Sequence, residues 1–239
     1  MPNVPKKTKN YKKRYMSKRK RYYKKNPMPF KPQSIVKTGF PRTSVVKLKY
    51  VDGFGLDPGA IGLASTFVFR ANSIQDPSYS TAGHQPMNRD LWSQLYKRYT
   101  VIGARCNLRV FMGTTTNSYG ILAGILLNED ANIADLNPST LMEQGMVRYV
   151  MANATNTAGS GRGLSVSKNF SAKKFFNVAN VSDNKDLGAN QSDNPVRTCK
   201  FICLVSPTPN SGIDLAQVHC VVTIEYLVLY SEPLEQAAS

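Results

Sequence analysis

Acidic residues are missing from the first 51 positions of this chain, which hold 17 Lys or Arg and no Asp or Glu. Residues 52–239 carry 14 Lys or Arg against 15 Asp or Glu, so the formal charge of +16 is a basic arm attached to a nearly neutral body. Long apolar runs are also absent. The longest, Ile121 to Leu127, has seven residues, far short of the roughly 18–20 that a membrane span needs, so no membrane insertion is expected. No apolar segment follows the positive N-terminus, which excludes the pattern of a secretory signal peptide. Cations on every face, and prolines at Pro2, Pro5, Pro27, Pro29, Pro32 and Pro41, exclude the amphipathic helix of a mitochondrial presequence.

Cysteine and histidine are scarce. Cys106, Cys199, Cys203 and Cys220 match no zinc-finger or ribbon spacing, and only His84 and His219 could add nitrogen ligands, so no metal or cofactor is expected. Cys199 and Cys203 would share one face of a strand with a residue between them, too far apart for a disulfide without a bulge. Buried free thiols, made in a reducing compartment, are the expectation. Acids are too scattered for paired-carboxylate chemistry. Gly159 to Gly163 lacks the Lys-Ser/Thr and the helix of a phosphate loop, and reads as a hairpin turn. His219 reads as a packed mid-strand imidazole and His84 as a turn residue, so no nucleophile–base pair is in view. The chain does not read as an enzyme.

What is present is a polybasic segment, residues 6–25, with tyrosines set among its cations. Lys6, Lys7, Lys9, Lys12, Lys13, Arg14, Lys18, Arg19, Lys20, Arg21, Lys24 and Lys25 can neutralise phosphates and release counterions. Tyr11, Tyr15, Tyr22 and Tyr23 offer flat faces on which unpaired bases stack. The same clusters would satisfy a nuclear import receptor. A segment so charged and so poor in large apolar side chains is expected to be disordered until bound. Its partner is expected to be single-stranded nucleic acid.

Past Thr43 the periodicity is that of strands. Val46, Leu48 and Tyr50 alternate with Lys47 and Lys49; Ile102, Ala104, Cys106, Leu108 and Val110 alternate with Gly103, Arg105, Asn107 and Arg109. Eight segments read this way: 44–51, 65–71, 99–112, 119–128, 147–153, 163–170, 197–206 and 216–230. The segment 119–128 is apolar on both faces and reads as central. Connections 52–64, 113–118, 154–162 and 207–215 are short to moderate, whereas 72–98, 129–146 and 171–196 are longer. Strict alternation in an antiparallel sandwich puts the two sets at opposite ends, a rhythm that fits an eight-stranded jelly roll. Helical pattern is confined to the long loops: residues 88–99, with Asn88 as N-cap and Leu91, Leu95 and Tyr99 on one face, and residues 138–144, with Pro138 at a first helical position.

The stretch from Phe67 to Gly103 resembles the capsid proteins of small circular single-stranded DNA viruses that encode a Rep protein, the circovirus-like group. The resemblance lies in Phe69 to Ser73, Asp76-Pro77, Gly83 to Pro86, Leu91-Trp92 and Tyr96 to Val101, about a sixth of the chain. It implies a jelly-roll coat protein assembling with icosahedral symmetry around a circular single-stranded DNA genome. The arm here is Lys-dominated where circoviruses proper favour Arg, which points to a relative outside them. Physically, this block reads as a long loop held on the sandwich, with Trp92, Leu95, Tyr96 and Tyr99 plugging one open end.

The expected organisation is therefore all-β. Residues 1–42 form a disordered arm for nucleic-acid binding and nuclear localisation, and residues 43–239 form an eight-stranded antiparallel jelly-roll shell domain. The expected function is a capsid protein that forms a minimal T=1 homo-oligomer of sixty copies, located in the virion and, during assembly, in the host nucleus. A host attachment receptor is a further expected partner. The alternative is a non-capsid nucleic-acid-binding protein of the ribosomal, movement or nuclear-shuttle type.

Overall fold

The computed structural model describes residues 41–59, 62–111, 120–152, 163–209 and 214–234. Among the described residues nine strands form in chain order: β1 (Thr43–Leu56), β2 (Ser65–Arg70), β3 (Tyr96–Phe111), β4 (Ile121–Asn128), β5 (Val147–Ala152), β6 (Leu164–Ser171), β7 (Gly188–Asn190), β8 (Lys200–Pro207) and β9 (Val218–Pro233). One sheet runs β1-β9-β3-β6 and the other β2-β8-β4-β5, and every pairing is antiparallel. Without β7, the pairs β1/β9, β2/β8, β3/β6 and β4/β5 join first strand to last, second to second-last, and so inward. That is one long antiparallel ribbon rolled into a sandwich, the strand order of a jelly roll.

β7 is the strand the periodicity did not announce. It pairs with the first half of β3 through Tyr99 and Ala189, while β6 pairs with the second half from Gly103 onward. Between these halves the β3–β9 register shifts at Val101/Gly103. The bulge turns the phase of the strand, so Tyr99 and Val101 face inward before it and Ala104, Cys106, Leu108 and Val110 after it. Ile102, expected on the inner face, sits at the bulge and is only partly buried.

The core is aromatic and branched aliphatic between the sheets, with Tyr50, Phe69, Tyr99, Leu108, Phe201 and Tyr226 fully buried. A second, smaller layer explains the run from Ile121 to Leu127. Its even positions Leu122 and Leu126, with Ile202, Leu204 and Val68, turn away from the sandwich and are covered by Leu141, Leu136 and Ile133. Leu141 belongs to helix α2 (Pro138–Glu143). There Pro138 stands in the first turn and the Asn137 side chain accepts a hydrogen bond from the Ser139 amide at 3.0 Å, satisfying one free N–H of the helix start. Gly124 keeps that outer face tight, because a Cβ there would stand 3.0 Å from Leu204 Cδ1.

The helix expected over 88–99 shrinks to five residues, α1 (Arg89–Ser93), and Asn88 does not cap it. Asn88 is left-handed, at φ 66°, and its side chain makes no capping bond. From Tyr96 the chain pairs with β9 instead. An aromatic and β-branched stretch beside a full-length partner strand overrides a helical spacing of Leu91, Leu95 and Tyr99. Leu91 is consequently 61% exposed. The last helix, α3 (Ala172–Phe175), is a single turn.

All four cysteines are buried and free. The neighbouring Cys106 and burial push the Cys203 thiol well above its ordinary value, and burial pushes the Cys220 thiol up to about 12. An aromatic disulfide reagent is therefore expected to titrate none of the four thiols in the native protein at pH 8 and all four in guanidinium. Rapid native reaction at any of them would mean that the sandwich opens locally.

Candidate nucleic-acid interface and the loop end of the sandwich

All sixteen arm residues expected to bind nucleic acid, from Lys6 to Lys25, lie outside the described residues, as do Gly159 to Arg162. Two of the 17 N-terminal cations do not belong to the arm. Lys47 and Lys49 lie on β1, leaving 15 Lys or Arg in residues 1–42.

The resembling block builds one end of the sandwich. Arg70, at the end of β2, donates to the Asp76 carboxylate at 2.7 Å and to the backbone carbonyls of Asp76 and Ser78 at 2.8 and 3.0 Å. Its guanidinium also lies 4.9 Å from the Tyr79 ring centre. The turn at Asp76-Pro77 thus folds residues 77–80 back along β2. The Arg70 amide donates to Pro77 O and the Tyr79 amide to Val68 O. A sheet edge is closed in this way against unwanted pairing.

The next two residues tie this loop to the segment between β6 and β8. The Asn72 side chain donates to Arg197 O at 2.8 Å and accepts from the Cys199 amide at 2.9 Å. Ser73 donates to Asn194 Oδ1 at 2.5 Å, and its Oγ lies 3.1 Å from the Tyr99 hydroxyl. Tyr99 in turn donates to Asp193 O at 2.8 Å, and Tyr226 donates to Arg70 O at 2.8 Å. Burial raises both phenols above their ordinary value, so they remain neutral donors. Arg89, nearly buried, reaches the Gln75 and Gln85 side chains and the Gln191 carbonyl. Trp92 stacks on Tyr230 with centroids 5.4 Å apart, beside buried Tyr96. The plug expected from Trp92, Leu95, Tyr96 and Tyr99 is in place; it is anchored mainly by hydrogen bonds between loops that sequence periodicity does not register.

The two histidines have no catalytic geometry among the described residues. His84 stacks on Tyr50 at 4.6 Å, and Tyr50 donates to Asp52 at 2.8 Å. His219 is exposed on the outer side of β9, which corrects the expectation of a packed imidazole. Its neighbours Val218 and Cys220 point into the core, so the alternation of the strand turns His219 out. No group of three or more His, Cys, Asp or Glu could hold a metal among the described residues. No helix there is long and apolar enough to cross a membrane.

The outer face of β1-β9-β3 carries a feature that the sequence reading left unassembled. The alternation that sends Leu48, Tyr50, Cys106, Leu108 and Val110 inward sends Lys47, Lys49, Arg105 and Arg109 outward. Register then stacks them: Lys49, Glu225 and Arg105 form one row across three strands. Val51, Thr223 and Asn107 form the next, Gly53, Val221 and Arg109 the third, and Gly55, His219 and Phe111 the fourth. Lys49, Arg105, Asn107, Arg109, Thr223 and Glu225 line a cleft of about 290 Å³. Phe111, at the end of the face, is 40% exposed.

Four ion pairs join described residues: Arg70–Asp76, Arg89–Asp90, Arg98–Glu232 and Arg197–Glu129. None uses a cation of this face. The acids collect elsewhere. Nine of the 15 lie in segments 71–95, 129–146 and 172–199, together with only five Lys or Arg. A nearly neutral body is therefore polarised, with acidic long loops and one basic sheet face.

No family model and no curated protein matches the chain. Among solved structures, similarity extends to the decameric BFDV capsid protein at 12% identity, over 80% of this chain and 100% of that one, with a TM-score of 0.45. A semi-empty virus-like particle of giant freshwater prawn Macrobrachium rosenbergii nodavirus aligns at 9% identity over 84% and 100%, TM-score 0.46. Mud crab tombus-like virus aligns at 12% over 85% and 96%, TM-score 0.47. The jelly-roll assignment rests on strand order and register in this chain, not on those scores.

Proposed function

We propose that this chain is the coat subunit of a small icosahedral virus, its jelly roll packing side by side into a closed T=1 shell of sixty copies. The arm, residues 1–42, lies inside against a circular single-stranded DNA genome and carries the subunit to the nucleus through an import receptor. The role is structural, without chemistry. The observation that carries this reading is the combination of a rolled eight-strand ribbon with an acid-free arm of 15 cations. A non-capsid nucleic-acid-binding protein needs no such sandwich. DNA as the packaged strand rests on the sequence resemblance of residues 67–103.

Recombinant full-length protein is expected to form uniform closed particles, seen by electron microscopy and as one fast boundary in sedimentation. Sequencing of their contents after nuclease treatment identifies the strand. Only monomers or small oligomers, across salt and pH and with nucleic acid added, would overturn the reading.

A further inference from the structure

We propose that the outer face of β1-β9-β3 is a second nucleic-acid site, one that binds a single strand on the folded domain itself. It deepens the packaging reading above but stands on its own geometry. Lys49 and Arg105 flank the cleft about 10 Å apart across β9, and Arg105 and Arg109 stand about 13 Å apart along β3. That separation matches about every second phosphate of one extended strand; Glu225 stands between Lys49 and Arg105 in the same row, but among the described residues no ion pair ties it or another acid to these cations. Between them Asn107 and Thr223 present amide and hydroxyl groups to sugars and base edges. The Asn107 side chain already accepts a hydrogen bond from Ser165 at 3.2 Å, which leaves its amide protons available.

Beyond Arg109 the face ends in Phe111, opposite His219. In the row of Arg109, Gly53 leaves the surface low, since a Cβ there would meet nothing nearer than Cys220 O at 3.9 Å. A row of cations leading to an exposed aromatic is the combination that holds single-stranded nucleic acid without reading its sequence. An exposed Phe at the end of a row of cations gains little from facing water. A double helix offers it no base to stack on, so the site selects single strands.

The test uses the full chain and a 30-mer deoxyoligonucleotide in which thymines are replaced by 5-bromouracil. Ultraviolet cross-linking and peptide mass mapping are expected to place adducts at Phe111 or His219 as well as in residues 1–42. In fluorescence titrations of the same oligonucleotide, the double variant Arg105→Ala/Arg109→Ala should lower the slope of log K against log salt by about 1.5. Phe111→Ala should weaken binding about tenfold with the slope unchanged. Lys173→Ala/Lys174→Ala, which removes two cations near α3, should leave affinity and slope as they are.

Because all these side chains are exposed, unchanged melting temperatures certify that each variant is folded. Adducts confined to the arm, with the β3 double variant binding like the parent, would overturn this site and leave the arm reading intact. Adducts on the sheet face without any in the arm would do the reverse.

Discussion

Removing residues 1–42 is expected to leave the sandwich folded but to cut the nucleic acid held per particle to about a fifth or less. The arm contributes 15 Lys or Arg and no acid. In a sixty-copy shell that is about 900 positive charges, against one negative charge per nucleotide. The β1-β9-β3 face adds four cations against Glu225, so it can retain only a minor share once the arm is gone. The check is the ratio of absorbance at 260 to 280 nm on purified particles, with circular dichroism confirming an intact β signature. Full packaging by the shortened chain would locate the main nucleic-acid site on the folded body. Within the arm, Ala at Tyr11, Tyr15, Tyr22 and Tyr23 should reduce the preference for single over double strands and barely move the salt slope, since stacking and charge neutralisation are separate terms.

Asn72→Ala should be among the most destabilising single substitutions outside the hydrophobic core. One buried side chain both donates to Arg197 O and accepts from the Cys199 amide, joining the β2–β3 and β7–β8 connections. Alanine leaves one buried and one partly buried backbone group without these partners, at a cost of about 2–4 kcal/mol in total. For a folded domain of this size that is a fall in melting temperature of about 5–12 °C. Asn72→Asp separates polarity from size: it keeps the acceptor for the Cys199 amide and loses the donor to Arg197 O. A drop intermediate between parent and alanine is expected, measured by calorimetry above pH 6. If alanine costs less than about 1 kcal/mol, water replaces the lost bonds and the loops are not coupled through this residue.

Much of the sandwich is legible in the chain because strand alternation is local. Leu48 and Tyr50 against Lys47 and Lys49 is a pattern any reader of β1 meets, and the unequal loop lengths follow directly from strand spacing. The same holds for four thiols in apolar strand segments, which are buried and free, and for the arm's charge, which follows from composition alone. The helix over 88–99 misled because Leu91, Leu95 and Tyr99 satisfy a helical period while β9, about 130 residues away, offers Tyr96 to Val101 a ladder to pair with. β7 escaped notice because three residues, Gly188 to Asn190, carry no period at all. His219 was expected inside although its two apolar neighbours already claim the inner face.

What the sequence by itself determined is the charge asymmetry between arm and body and the set of residues that turn inward or outward on each strand. Those properties depend on neighbours one or two positions apart. Tertiary structure alone decided which outward residues meet. Lys49, Glu225 and Arg105 come from three distant segments and share a row only because antiparallel register brings β1 and β3 to either side of β9. Asn72, Ser73 and Arg89 find their partners across loops for the same reason. Register and loop closure are long-range agreements between strands, and no local period encodes them.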